Sequence, residues 1–288
     1  MLLVQRSTVD KRPSVERMFD KAWSNVSLAL LHSPRGSKMR LAVPLFALVA
    51  AAAAASVSLA TTPPLSAIIA KAVADPARPA DYRKADKLRK PAETLAFSDI
   101  RPGMAVGEFY PAGGYFTRML SDVVGPSGHI YAIENKGWND SVKDDQKMLA
   151  EGKWKNVSLD VQPFGTVRFP RPLDLAWVTQ NYHDMKIAKY GNVDTVAFDR
   201  AVFKALKPGG IFFILDHQGS PALTPSDIAK MHRINRDVVV REVTSAGFKL
   251  AAEGKFLRRP GDDHSKTIFD PAIRGRTDQY ALKFVKPR

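Results

Sequence analysis

Val106-Gly107-Glu108-Phe109-Tyr110-Pro111-Ala112-Gly113-Gly114-Tyr115-Phe116-Thr117 is the stretch on which the fold turns. Met104 to Phe109 is a short apolar run ending in a carboxylate, and Pro111, Gly113 and Gly114 break it with a turn. Tyr115 to Val124 then reads as a helix stopped by Gly125-Pro126. Strand, glycine turn, helix is the arrangement that lets backbone pass close to a bound nucleoside. It also presents the free N–H groups and positive dipole end of a helix to an anion. Twenty residues beyond Gly114, Glu134 closes the apolar run His129 to Glu134, where a carboxylate can accept both hydroxyls of a ribose.

Outward from this stretch the alternation continues. Pro91 to Phe97 reads as a short helix with proline in its first turn, Ser141 to Ala150 as a helix and Val157 to Val161 as a third strand. Leu173 to Val178 is a fourth strand, Val193 to Leu206 a helix, and Ile211 to Leu215 a fifth strand after Lys207-Pro208-Gly209-Gly210. Strands alternating with helices imply right-handed crossovers and a parallel sheet covered on both faces. After a helix over Asn235 to Ala246, strands near Phe248–Leu257 and Gln279–Val285 are separated only by a loop, so they pair antiparallel. The expected class is α/β: a doubly wound seven-stranded sheet, mostly parallel with an antiparallel final strand.

Three segments carry a family resemblance. VGEFYPAGGYFT resembles the first motif of class I S-adenosyl-L-methionine-dependent methyltransferases, HIYAIE the second, and LKPGGIFFILDH the segment around the fifth strand. NYHD, MHRI and FDPAIRGRTD are similar to stretches of an exported bacterial branch of predicted methyltransferases with no assigned acceptor. The resemblance implies a Rossmann-like methyltransferase fold and S-adenosyl-L-methionine as cofactor, with Glu108, Tyr110, Ala112, Gly113, Gly114, Glu134 and Asn181 on the cofactor side. Tyr110 and Ala112 depart from it, standing where the family commonly has glycine.

The fourth strand runs into Thr179-Gln180-Asn181-Tyr182-His183-Asp184 and the fifth into Asp216-His217. Both reach the carboxyl edge where open α/β sheets bind ligands. Histidine titrates near neutrality, so His183 and His217, with Asp184, are the candidate acid/base and acceptor-orienting groups. His183, Asp184, Asp216 and His217 could instead bind a divalent metal, but their spacing matches no helical metal motif and no metal site is expected. A basic loop, Arg258 to Asp278, is long enough to serve as an acceptor lid or to be a plain surface excursion. The rival from another class is an exported, non-catalytic ligand-binding protein that retains the fold. A nicotinamide oxidoreductase is disfavoured because the turn lacks the G-x-G-x-x-G spacing.

The 288 residues contain no cysteine, which excludes disulfides, thiolate metal sites and a cysteine nucleophile. Of the formal charge of +14, residues 61–288 keep +9, so the body is basic in its own right. The cations are dispersed, however, and no nucleic-acid partner is expected; the partner is a small-molecule acceptor. Residues 41–70 are free of charge and follow Lys38, Met39 and Arg40, so 39–60 reads as a signal peptide cleaved after Ala60 or as an uncleaved membrane anchor. Either places the body outside the cytoplasm, in the periplasm or its equivalent. Residues 1–38 form an N-terminal extension, and Met39 is an alternative start. Residues 61–80, with Pro63, Pro64, Pro76 and Pro79, read as a linker, and 81–288 as the methyltransferase-like domain.

Overall fold

The computed structural model describes residues 63–136 and 140–288. The extension and the targeting segment, residues 1–60, lie outside the described residues. Among those described, no helix is long and apolar enough to cross a membrane.

Three helices come first: α1 (Leu65–Val73), α2 (Ala80–Arg89) and α3 (Pro91–Phe97). They correct the linker reading of 61–80. Each proline does interrupt helix, but Pro64 and Pro79 occupy the N-cap positions of α1 and α2, where a missing N–H costs nothing. Ile69 and Ala72 of α1 are buried in the core, so the folded body begins well before Asp81.

Then follow β1 (Ala105–Phe109), α4 (Tyr115–Val124), β2 (His129–Asn135), α5 (Asp140–Ala150), β3 (Val157–Gln162) and β4 (Leu173–Thr179). The chain continues through α6 (Thr195–Ala205), β5 (Leu206–His217), α7 (Pro225–Met231), α8 (Arg236–Ser245), β6 (Lys249–Gly254) and β7 (Gln279–Val285). The sheet order is β3-β2-β1-β4-β5-β7-β6, parallel except that β7 is antiparallel to both β5 and β6. The expected class is therefore the observed one, a doubly wound seven-stranded sheet. The turn Lys207-Pro208-Gly209-Gly210 proves continuous with β5, which extends from Leu206 to His217.

Both faces of the sheet are covered, and the period of two along each strand divides its side chains between them. Phe212 and Ile214 of β5 join Val178, Phe198, Val202 and Phe284 on one face. Phe213 and Leu215 join Trp177, Val106, Phe116 and Leu120 on the other. Gly107 in β1 has a packing reason: a Cβ there would stand 2.7 Å from Leu173 Cδ1 and 3.1 Å from the Phe169 ring. Between β1 and β4 the order of the strands reverses. At such a switch point the connections leave in opposite directions and open a crevice at the carboxyl ends of the strands.

Candidate functional site

Two groups of buried side chains gather at the carboxyl ends of the strands on either side of that switch point. The first hangs on the turn after β1, where four backbone positions are left-handed: Tyr110 (φ 56°), Ala112 (φ 48°), Gly113 (φ 78°) and Gly114 (φ 80°). Two of these are not glycine, and each such residue costs about 1–2 kcal/mol. The glycine-type backbone is thus kept where the glycines themselves are missing. Gly114 is the N-cap of α4 and has no side chain to satisfy the helix's first N–H groups.

Around this turn, carboxyl groups converge without an ion pair among the described residues, although the charge of Arg118 acts on Asp145. Glu108 and Glu134 are 2% and 0% exposed, and Asp145 of α5 is wholly buried. Asp145 Oδ1 accepts the Gly113 N–H at 2.7 Å. Among the described residues no close hydrogen bond completes either oxygen of Glu134, Oε2 of Glu108, Oδ2 of Asp145, or the hydroxyls of Thr117 and Ser141, although Asp145, Ser141 and the Ala112 N–H lie near Glu134 and Thr117 lies near Glu108. Burial, reinforced by the neighbouring Asp145, pushes the Glu134 carboxyl up to about 9. Burial likewise raises Glu108 to about 8, against a stabilising contact from Thr117. Both shifts favour the protonated form.

Helix α2 closes over the turn. Tyr82 donates its hydroxyl to Gly113 O at 3.2 Å, and a Cβ on Gly113 would meet that hydroxyl at 2.9 Å. Arg118 donates to the carbonyls of Gly113 and Gly114 at 2.7 and 2.9 Å. Arg118 is itself paired with Glu151 at 2.7 Å.

The second group belongs to the ends of β4 and β5. His183 is 1% exposed, and its Nδ1 lies 2.7 Å from Asp216 Oδ1 while its backbone N–H donates to Asp216 Oδ2 at 2.8 Å. Its Nε2 faces Asp184 Oδ1 at 3.1 Å. Burial alone would lower its pKa; the charges of Asp216 and Asp184 overcome that and push it up to about 10. Asp184 is held well below the usual carboxylate range by His183, against its own burial. His217 goes the other way: burial and the positive charge of His183 push it well down, leaving it neutral. Its Nδ1 lies 2.7 Å from the Thr277 hydroxyl, and its ring centroid is 5.9 Å from that of His183.

The structure thus brings Glu108, Tyr110, Ala112, Gly113, Gly114 and Glu134 together on one side, and His183, His217 and Asp184 on the other. Asn181, expected with the cofactor group, donates to Asp184 Oδ2 at 2.8 Å and belongs with the histidines. Tyr110 lies between the halves: its hydroxyl, buried and raised in pKa, feels both Asp184 and Glu134.

Sequence reasoning missed His232, whose Nδ1 is 3.0 Å from Asp184 Oδ1 and 3.3 Å from His183 Nε2. The stretch MHRI was noticed, but nothing local brings it to β4. A bridge between Gln218 and Ile234 does, with the Ile234 N–H donating to His217 O at 3.1 Å. The basic loop is tied down instead of poised as a lid: buried Arg233 pairs with Asp262 at 2.9 Å, and Asp278 takes Arg258 and Arg259. The loop's contribution to the site is Thr277.

No family model matches the chain. A 61-residue stretch, 21% of this chain, is 34% identical to the protein-L-isoaspartate O-methyltransferase of Methanothrix thermoacetophila. It spans 28% of that protein's length. Among solved structures, a SAM-dependent methyltransferase from Aquifex aeolicus superposes with a TM-score of 0.51 at 16% identity, over 78% of this chain and 100% of the other. The fold is that of the S-adenosylmethionine-dependent methyltransferases. The cyclase SpnF superposes with a TM-score of 0.50 at 16% identity, over 72% of this chain and 82% of its own. A fold shared by a methyltransferase and a cyclase leaves the reaction to the side chains of the site.

Proposed function

We propose that this protein binds S-adenosyl-L-methionine over β1 and β2 and transfers its methyl group to a small-molecule acceptor held over β4 and β5. The observation that carries this reading is the set of buried polar atoms without partners around Glu134. A ribose offers two hydroxyl donors, and Glu134, at the end of β2, presents two buried oxygens that close no hydrogen bond of good geometry among the described residues, with Ser141, Asp145 and the Ala112 N–H as their neighbours. Leaving such groups unsatisfied costs about 1–3 kcal/mol each, so their concentration beside a left-handed turn marks a place built for a polar ligand. When bound, S-adenosyl-L-methionine supplies an electrophilic methyl group. Glu134 takes the ribose hydroxyls, the turn from Tyr110 to Gly114 supplies backbone, and Glu108 stands towards the amino-acid end. On the acceptor side, His183 is locked between Asp216 and Asp184 and orients rather than titrates. His217, neutral and with Nδ1 engaged by Thr277, offers Nε2 to the acceptor's proton. The basic body favours an acidic acceptor, and the N-terminal reading puts the work outside the cytoplasm, with the domain released after Ala60 or tethered by residues 41–60.

One observation favours a second reading, an exported binding protein without methyl transfer: Tyr110 and Ala112 carry side chains at the two positions where glycine would admit the cofactor. Calorimetry with S-adenosylmethionine, S-adenosylhomocysteine and NAD separates the readings. The methyltransferase reading expects the first two to bind and Glu134→Ala to weaken both by about 1–3 kcal/mol. Binding of neither defeats it.

A further inference from the structure

We propose that His183, Asp184 and His232 form a binding site for one divalent transition-metal ion of the Zn²⁺ or Fe²⁺ type. The three facing atoms make a nearly regular triangle: His183 Nε2 to Asp184 Oδ1 is 3.1 Å, His183 Nε2 to His232 Nδ1 is 3.3 Å, and His232 Nδ1 to Asp184 Oδ1 is 3.0 Å. An ion with bonds of about 2.0–2.2 Å places neighbouring ligand atoms about 2.9–3.5 Å apart, from octahedral to tetrahedral. The three atoms therefore already stand as far apart as neighbouring ligands of one such ion.

The groups behind the triangle are those a metal site requires. His183 presents Nε2 because its other nitrogen is fixed on Asp216 at 2.7 Å, the carboxylate–histidine pairing that sets ring orientation and raises basicity. Asp216 is itself anchored by two backbone N–H groups, those of His183 and His217, at 2.8 and 2.7 Å. Asp184 keeps Oδ1 for the triangle because Oδ2 accepts from Asn181 at 2.8 Å. His232 is the left-handed C-cap of α7, with φ 52° and its N–H donating to Ile228 O at 2.8 Å, and the bridge of Ile234 to Gln218 follows two residues later.

Chemistry selects the ion. Two imidazoles and one carboxylate suit Zn²⁺, Fe²⁺, Co²⁺ and Ni²⁺ over Mg²⁺ and Ca²⁺, which prefer oxygen alone. Three protein ligands leave at least one coordination position open, as catalytic sites do and structural zinc sites do not. The exposed ring of Phe269, 4.8 Å from that of His232, borders the outer side. This ligand set differs from the one the sequence suggested: His232 enters, Asp216 moves behind His183, and His217 faces Thr277 instead.

The test uses the full chain, freed of metal by a chelator and titrated with Co²⁺, followed by Zn²⁺ in competition and Mg²⁺ as control. One equivalent of Co²⁺ is expected, with a visible absorption band that Zn²⁺ abolishes and Mg²⁺ does not. His232→Asn, which tolerates the left-handed backbone but lacks the imidazole, is expected to lose that band. Asp216→Asn, which acts through His183, is expected to weaken binding about 10- to 100-fold. No band, or a band unchanged in folded His232→Asn and Asp184→Asn proteins, overturns the proposal. S-adenosylmethionine affinity measured on the same samples is a separate readout, so failure here is distinguishable from failure of the methyl-transfer reading.

Discussion

The carboxyl groups at the ends of β1 and β2 and those at the ends of β4 and β5 are equally buried, yet they live in opposite electrostatic states. Among the described residues Glu108, Glu134 and Asp145 form no ion pair, Arg118 reaching Asp145 only through space, and they have incomplete hydrogen bonds and raised pKa values. Asp184 and Asp216 share His183 and have every near contact filled. The difference separates two ways of building a site. One half stays unsatisfied until a ligand arrives, and the other is satisfied in advance so that its geometry is fixed.

The largest effect that sharpens this contrast is in turnover. With an acceptor in hand and release of S-adenosylhomocysteine as the assay, His217→Ala is expected to lower turnover about 10²- to 10⁴-fold while leaving cofactor affinity within about twofold. A loss below about tenfold makes His217 structural.

Stability is the next discriminator. Asp216→Ala leaves the imidazolium of His183 buried without its main partner and should cost about 3–5 kcal/mol in urea unfolding. Glu134→Gln removes a buried carboxyl that forms no ion pair and keeps its neighbours Ser141, Asp145 and the Ala112 N–H, so it should cost little or stabilise slightly. Equal losses would erase the distinction between the halves.

A smaller effect is its pH dependence. Glu134 has a folded-state pKa of about 9, above its unfolded value. Its contribution to stability is therefore fully present below the unfolded value and is lost as pH rises through about 9. Wild type should lose stability across that window more steeply than Glu134→Gln. A ligand that prefers the carboxylate form releases a proton, so S-adenosylmethionine affinity should rise by up to about tenfold per pH unit below 9, as calorimetry in paired buffers can measure. Affinity flat from pH 6 to 9 would remove Glu134 from the contact.

The smallest effect concerns the turn. Ala112→Gly relieves a left-handed alanine and should raise stability by about 0.5–1 kcal/mol, read as a higher Tm.

The group at the ends of β1 and β2 was readable from sequence because it is local: a strand, its turn and the helix after it occupy twenty consecutive residues, and Glu134 sits one crossover later. Of the group at the ends of β4 and β5, only the clustering of His183, Asp184 and His217 was readable. His232 and Thr277 reach the histidines through pairings 49 and 60 residues distant in sequence. The contact of the Asn181 amide with Asp184 was not readable, because a strand-end position does not say which neighbour the amide meets. The helix Leu65–Val73 was hidden because its prolines, read one by one, signal irregular chain. Its apolar positions, Ile69 and Ala72, matter only once α4 is there to cover them.

The antiparallel strand Gln279–Val285 governs the order of assembly. It is the last of the seven to be synthesised, yet it lies inside the sheet, and β6 pairs with no other strand. Until it inserts, β5 has an open edge and the segment carrying Thr277 cannot dock beside His217. Loops must close across most of the domain before the acceptor half exists, so folding should be slow relative to a helical protein of equal size and cooperative to its last strand. A chain truncated before that strand would leave β6 without a partner and His217 without Thr277.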